Sequence, residues 1–152
     1  MSLGGGGGQM QQLSQQMEQL EQTKHAIEAE IQSLQEEKRE IDEAADAIDQ
    51  LDTGSTVQVP IGGGAYVRAE VQDIDEVIVD LGADYAAERD QEGAKSSLET
   101  KKEKLDEQIS DLRSEIAEVE TKVQELEQEA QQMQTQQMQQ LQQQQQQQQE
   151  DE

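Results

Sequence analysis

The sequence predicts an α+β chain that is mainly α: an antiparallel two-helix coiled coil joined by two central β-hairpins that assemble with those of other subunits. Three observations predict it. Apolar residues recur at spacings of three and four across both outer parts of the chain. A middle segment switches to alternation with a period of two. Bulky residues are scarce, with 32% hydrophobic, 1% aromatic, and neither Phe nor Trp among 152 residues. A compact globule of this length needs large side chains to fill its interior. Long helices that pack along a narrow seam do not.

The chain divides into five parts. Residues 1–8 read as a flexible Gly-rich leader and 9–52 as the N-terminal coiled-coil helix. Residues 53–90 read as two β-hairpins that form an oligomerisation module. Residues 91–133 read as the C-terminal coiled-coil helix, and 134–152 as a Gln-rich tail with an acidic end.

In the first helix one row of seam positions holds Leu13, Leu20, Ile27, Leu34, Ile41 and Ile48, and the other holds Met10, Met17, Lys24, Ile31, Lys38 and Ala45. A heptad pattern sustained over about six repeats specifies a coiled coil rather than an ordinary amphipathic helix. The second helix repeats the device with Leu98, Leu105, Leu112, Val119, Leu126 and Met133 in one row, and Lys102, Ile109, Ile116, Val123 and Ala130 in the other. Matched lengths joined by a chain-reversing module predict an antiparallel pair. Facing residues whose numbers sum to 143 set Met10 against Met133 and Ile31 against Leu112. The next register, summing to 150, wastes Met10 and Leu13 on Gln140 and Gln137. The first register is expected.

In the centre, Val57, Val59, Ile61, Val67, Ala69, Val71, Val77, Val79 and Leu81 occupy odd positions, and most even neighbours are polar. That is strand alternation with one buried face. Gly62 to Gly64 and Leu81 to Asp84 supply the turns. Two small hairpins leave unpaired edges and are marginal alone. Pairing with hairpins of other subunits in a closed or sandwiched sheet resolves both problems, so oligomerisation through this module is expected.

Charge narrows the function. With 35 acidic and 11 basic residues the formal net charge is −24. Such a surface repels phosphate backbones and anionic lipid, which disfavours nucleic acid and membrane partners. Regular heptads argue against general disorder, so the acidity points to a folded protein adapted to high salt, where screening removes self-repulsion. No cysteine is present. Thiol catalysis and Cys-based metal sites are excluded. The N-terminus lacks the pattern of a secretion signal and no apolar run reaches bilayer length, so the cytoplasm is expected.

Several features carry no chemistry. His25 is a lone histidine on a solvated flank. Neither Gly62 to Gly64 nor Gly93 to Ser96 has the spacing of a phosphate loop. Asp49, Asp52, Asp73 and Asp75 do not follow the order of a calcium loop. Lys24, Lys38 and Lys102 interrupt the seam and more often fix register than bind a ligand. No pair of carboxylates sits in an apolar setting that would shift its pKa for acid–base work. No catalytic residue, metal or cofactor is expected.

The stretches Thr56 to Val71 and Glu76 to Arg89 closely resemble the α-type subunit of archaeal prefoldin, through a Val-Pro-Ile-Gly turn, a second hairpin and a Gly-x-x-Tyr segment. The flanking heptads match in pattern only, and the leader and the Gln tail depart from the family. The resemblance implies two α and four β subunits in a hetero-hexamer, with the hairpins in a double β-barrel platform and six coiled-coil arms. It also implies an ATP-independent holdase that captures unfolded proteins at the arm tips and passes them to a group II chaperonin. By the resemblance the platform would contain Val57, Val59, Ile61, Val67, Val77 and Val79 as the oligomerisation residues, and the tip would be the chain's two ends.

The methionines agree with that placement. Apart from the initiator they are Met10, Met17, Met133 and Met138, all at the expected distal end. Met suits surfaces that accept many partners. The expected client-binding residues are Met10, Leu13, Met17, Leu126, Met133, Met138 and Leu141. The competing function is a structural tether for one folded partner. Such a tether would carry a patch of defined charge pattern, and none is found in this acidic surface.

Overall fold

A computed structural model describes residues 3–150, with side chains from Gly7 onward. In chain order it contains α1 (Leu3–Gln50), β1 (Thr56–Gly62), β2 (Ala65–Glu70), β3 (Val77–Gly82), β4 (Tyr85–Arg89) and α2 (Gln91–Glu150). This is the mainly helical α+β architecture that the heptads and the period-two segment predict. The chain forms two units: residues 31–110, and the pairing of the first 30 residues with the segment from Asp111 onward.

Both helices extend past their expected ends. The helix α1 begins at Leu3, inside the segment expected to be a flexible leader. Each glycine there costs about 1 kcal/mol relative to alanine, so this stretch depends on the heptads that follow it rather than on its own preference. The helix α2 runs through the Gln tract to Glu150, beyond Met133. Glutamine is unbranched and a good helix former, and neither Gly nor Pro follows Gly93 to stop propagation.

In the unit of residues 31–110 the core is a cluster of Ile41, Val79, Ala94 and Leu98, with Ala45, Ile48, Val77 and Leu105 packed against it. Ala94 has no exposed surface. Its single methyl lets the first turn of α2 lie close to β3 and the end of α1.

Polar contacts secure this junction. Asp90 caps α2, with its Oδ1 accepting from the Gly93 amide at 2.6 Å. Gln91 donates its side-chain amide to the carbonyl of Ile48 at 2.7 Å, satisfying a group that the end of α1 leaves open. The Ile74 amide donates to Thr53 Oγ1 at 3.1 Å.

Four ion pairs report the register. Lys24 reaches Glu120 at 3.2 Å in the unit formed by the chain's ends. In the unit of residues 31–110, Lys38 pairs with Asp106, Asp42 with Lys102 at 2.8 Å, and Asp49 with Lys95 at 2.5 Å. The residue numbers 24 and 120, 38 and 106, 42 and 102, and 49 and 95 each add to 144. This matches the register expected at 143, because each partner carboxylate stands one residue beyond the seam position that faces its lysine, and not the one at 150.

Candidate assembly and client surfaces

Both hairpins use one turn design. In the first, Val57 pairs with Ala69, Val59 with Val67 and Pro60 with Tyr66; a register shift between Pro60 and Gly62 then leaves Gly62 opposite Ala65. The two loop residues, Gly63 and Gly64, have φ of 60° and 80°. Two consecutive positive φ values mark the tight turn whose twist matches that of paired strands. In the second hairpin the shift falls between Asp80 and Gly82, and Gly82 faces Tyr85. There the loop residues are Ala83 and Asp84, at φ of 52° and 64°. Asp80 Oδ1 accepts from the Gly82 amide at 3.0 Å and holds this bend.

The six expected assembly residues divide between two fates. Val59, Ile61 and Val67 are exposed on the first hairpin, and Val57 is half-buried there. Val77 and Val79 are instead packed into the chain's own core, with Val79 only 5% exposed. The difference has a simple cause. The second hairpin packs Val77 and Val79 against the helix pair, while the first leaves Val59, Ile61 and Val67 open.

Sequence reasoning also missed exposed apolar side chains at Tyr66, Ile78 and Tyr85, and Leu81, expected on the buried face, is exposed as well. The signal was present. Tyr66 and Ile78 occupy even positions, where the alternation calls for polar residues. Each hairpin is a separate two-stranded sheet, so all four strands keep one unpaired edge.

At the chain's ends, Leu13 is buried in the seam, and Met10, Met17, Leu126 and Met133 are half-buried. Met138 and Leu141 stand open, at 68% and 58% exposure. An open cleft there is lined by Gln9, Gln12, Leu13, Gln16, Glu129 and Met133. It brings Leu13 and Met133 together. A second cleft includes Leu20 and Leu126.

Electrostatics support the pairing. Hydrogen bonding to Glu120, followed by that carboxylate's charge, raises the pKa of Lys24 above the ordinary lysine value. Hydrogen bonds to Asp49 and Asp42 do the same for Lys95 and Lys102, against the smaller opposing effect of burial. Among the described residues no group of three or more His, Cys, Asp or Glu is placed to hold a metal. Nor, among the described residues, is any helix long and apolar enough to cross a membrane.

Comparison with known proteins gives this architecture its place. A family model described as "Prefoldin subunit" matches residues 20–136, more than half of the chain and including both hairpins. The chain belongs to the prefoldin family. Prefoldin subunits are chaperone components, which is the coarse function of this chain.

Its relatives include prefoldin α subunits from Halobacterium salinarum, 64% identical over 72% of this chain and 71% of the relative, and from Halorubrum lacusprofundi, 59% identical over 70% of each. Another, from Haloarcula marismortui, is 68% identical over 40% of this chain and 39% of its own length. These relatives come from halophilic archaea, in agreement with the expectation drawn from charge and from the hairpin residues. Among solved structures, a chain in the cryo-EM structure of filamentous PFD from Methanocaldococcus jannaschii is 29% identical. It aligns with a TM-score of 0.53, covering 80% of this chain and 97% of that one.

The prefoldin match contains every expected assembly residue. It leaves out Met10, Leu13, Met17, Met138 and Leu141, so those residues rest on the physical argument alone.

Proposed function

We propose that this chain is the α subunit of an ATP-independent holdase, which captures unfolded proteins at the ends of its coiled coil and transfers them to a group II chaperonin. The observation that carries the reading is the division of exposed apolar surface. Val59, Ile61 and Val67 are exposed on one hairpin, and Met138 and Leu141 are exposed near the C-terminus. An acidic chain tolerates such surface where something covers it.

On the hairpin the cover is other subunits. Two α and four β subunits would close their strand edges into a double β-barrel platform and leave six arms projecting. At the chain's ends the cover is the client. Coiled-coil ends open at small free-energy cost, which gives intermittent access to Met10, Leu13, Met17, Leu126 and Met133 beside the permanently open Met138 and Leu141. Each contact is weak, and several arms on one platform add avidity. The work takes place in the cytoplasm and involves no catalysis and no cofactor.

The test is truncation. Removing residues 1–17 together with 126–152 leaves the hairpins and their supporting core intact, so assembly with β subunits is expected to persist. Suppression of aggregation of a denatured test protein, at matched complex concentration and high salt, is expected to drop sharply. Deleting only residues 142–152 removes polar amides and acids but no Met or Leu, and is expected to have a smaller effect. Full protection by the doubly truncated complex would place client binding elsewhere.

A further inference from the structure

Charge is distributed unevenly along the chain. Residues 1–17, 53–67 and 131–149 contain no Asp, Glu, Lys, Arg or His. All 11 basic residues and 32 of the 35 acidic ones lie between residues 18 and 130, and the last three acids are Glu150, Asp151 and Glu152. The middle uncharged stretch forms most of the first hairpin, where burial in an assembly would itself exclude charge. No such reason applies to the other two. From Leu3 onward they are helix, and from Gln134 to Gln149 every side chain is exposed.

Antiparallel pairing brings these two stretches side by side. Residues Gln9, Gln12, Leu13 and Gln16 of α1 line one cleft with Glu129 and Met133 of α2. Beyond that cleft Met138 and Leu141 lie among glutamines. A glutamine amide both donates and accepts, so it bonds the backbone of an extended chain whatever that chain's side chains are.

Met138 lies nine positions after Glu129, and Glu150 lies nine positions after Leu141. At 1.5 Å per residue each gap is roughly 13 Å. The Debye length at physiological salt is about 8 Å. The two open apolar side chains therefore lie beyond screening range of the nearest charge on either side along their own helix.

We propose that this uncharged end is built to admit strongly acidic unfolded chains, which the surface between residues 18 and 130 repels. Apolar contact and amide hydrogen bonding then decide capture, without selection by charge. The inference rests on the holdase reading and names the client class that its tips accept.

The experiment uses the assembled complex and one client in two forms: reduced, carboxymethylated α-lactalbumin, which is acidic, and the same chain with its carboxyls capped as glycinamides. Binding is followed by fluorescence anisotropy at 2 M salt and at the lowest salt where the complex keeps its mass. The wild type is expected to bind both forms within about threefold of each other at 2 M salt, where the Debye length is under about 3 Å, and to keep a smaller difference between them at low salt than the Glu variant below.

The variant Gln137→Glu/Gln140→Glu/Gln144→Glu surrounds Met138 and Leu141 with charge while keeping good helix formers. It is expected to weaken binding of the acidic form about fivefold or more at low salt, to leave the capped form unimpaired, and to match the wild type at 2 M. The corresponding triple Lys variant is expected to tighten the acidic form, a gain that misfolding cannot imitate. Unchanged affinity of both triple variants for the acidic form at low salt would overturn the proposal. A wild-type complex that binds neither form would instead overturn the holdase reading itself.

Discussion

Val59 and Val67 face each other across the first hairpin as register partners, and they remain 44% and 49% exposed. A matched pair of β-branched side chains at the centre of a two-stranded sheet is surface that the chain alone does not bury. Val79 occupies the equivalent odd-numbered face of the second hairpin and is covered by Ile41, Ala94 and Leu98. The contrast separates two effects of one substitution. Val59→Asp with Val67→Asp is expected to leave the isolated subunit helical with little change in its melting temperature, because both carboxylates stay hydrated. The cost appears on assembly, when those charges must be buried, so native mass measurement is expected to show free subunits. Val79→Asp is expected to destabilise the subunit itself by several kcal/mol, through an unpaired charge in the core. A double mutant that still forms the wild-type oligomer would remove the first hairpin from the interface.

Ala83 and Asp84 pay for a turn that Gly63 and Gly64 make without strain. At φ of 52° the Ala83 methyl crowds its own backbone. The left-handed region costs a non-glycine residue about 1–2 kcal/mol. Ala83→Gly removes that strain but adds freedom to the unfolded chain, so a net gain of about 0.5–1 kcal/mol is expected. Chemical denaturation of the subunit measures it, and a loss of stability would show that the turn is not strained.

Lys24, Lys95 and Lys102 have raised pKa values, each caused first by a hydrogen bond to a carboxylate on the opposite helix. A lysine whose folded pKa lies above its unfolded one stabilises fully below the unfolded value. That contribution is lost as pH rises through the folded value. Stability is thus expected to be flat through neutral pH and to fall in the alkaline range above about pH 10. Replacing all three lysines with Gln should lower the melting temperature at pH 7 and flatten the alkaline decline. An alkaline decline as steep in the triple variant as in the wild type would assign it to other groups.

Salt acts on two opposing terms. It screens the cross-helix ion pairs, which weakens them, and it screens repulsion within a chain of net charge −24. The 11 basic residues can neutralise fewer than a third of the 35 acidic ones, so repulsion dominates. Lowering salt from molar to about 0.01 M stretches the Debye length from roughly 3 to 30 Å. The melting temperature is expected to fall with it. A melting temperature that holds or rises at low salt would refute the salt adaptation.

The periods by themselves determined the element types, the antiparallel pairing and its register, because heptad rows admit few alignments that bury both. The glycine turns and the alternation located the hairpins to within a residue or two. Helix length in the Gly and Gln tracts was not legible, since neither tract has a period to mark its end. Nor could the sequence show which hairpin would be covered. Val57 to Val71 and Val77 to Leu81 show the same alternation, and alternation reports that a face is apolar without naming what buries it. The tertiary structure decided this through Ala94, whose small side chain at the start of α2 leaves room for Val79 beside Ile41 and Leu98. A tight packing site of that kind depends on residues far apart in the chain meeting at one point, which no local pattern encodes.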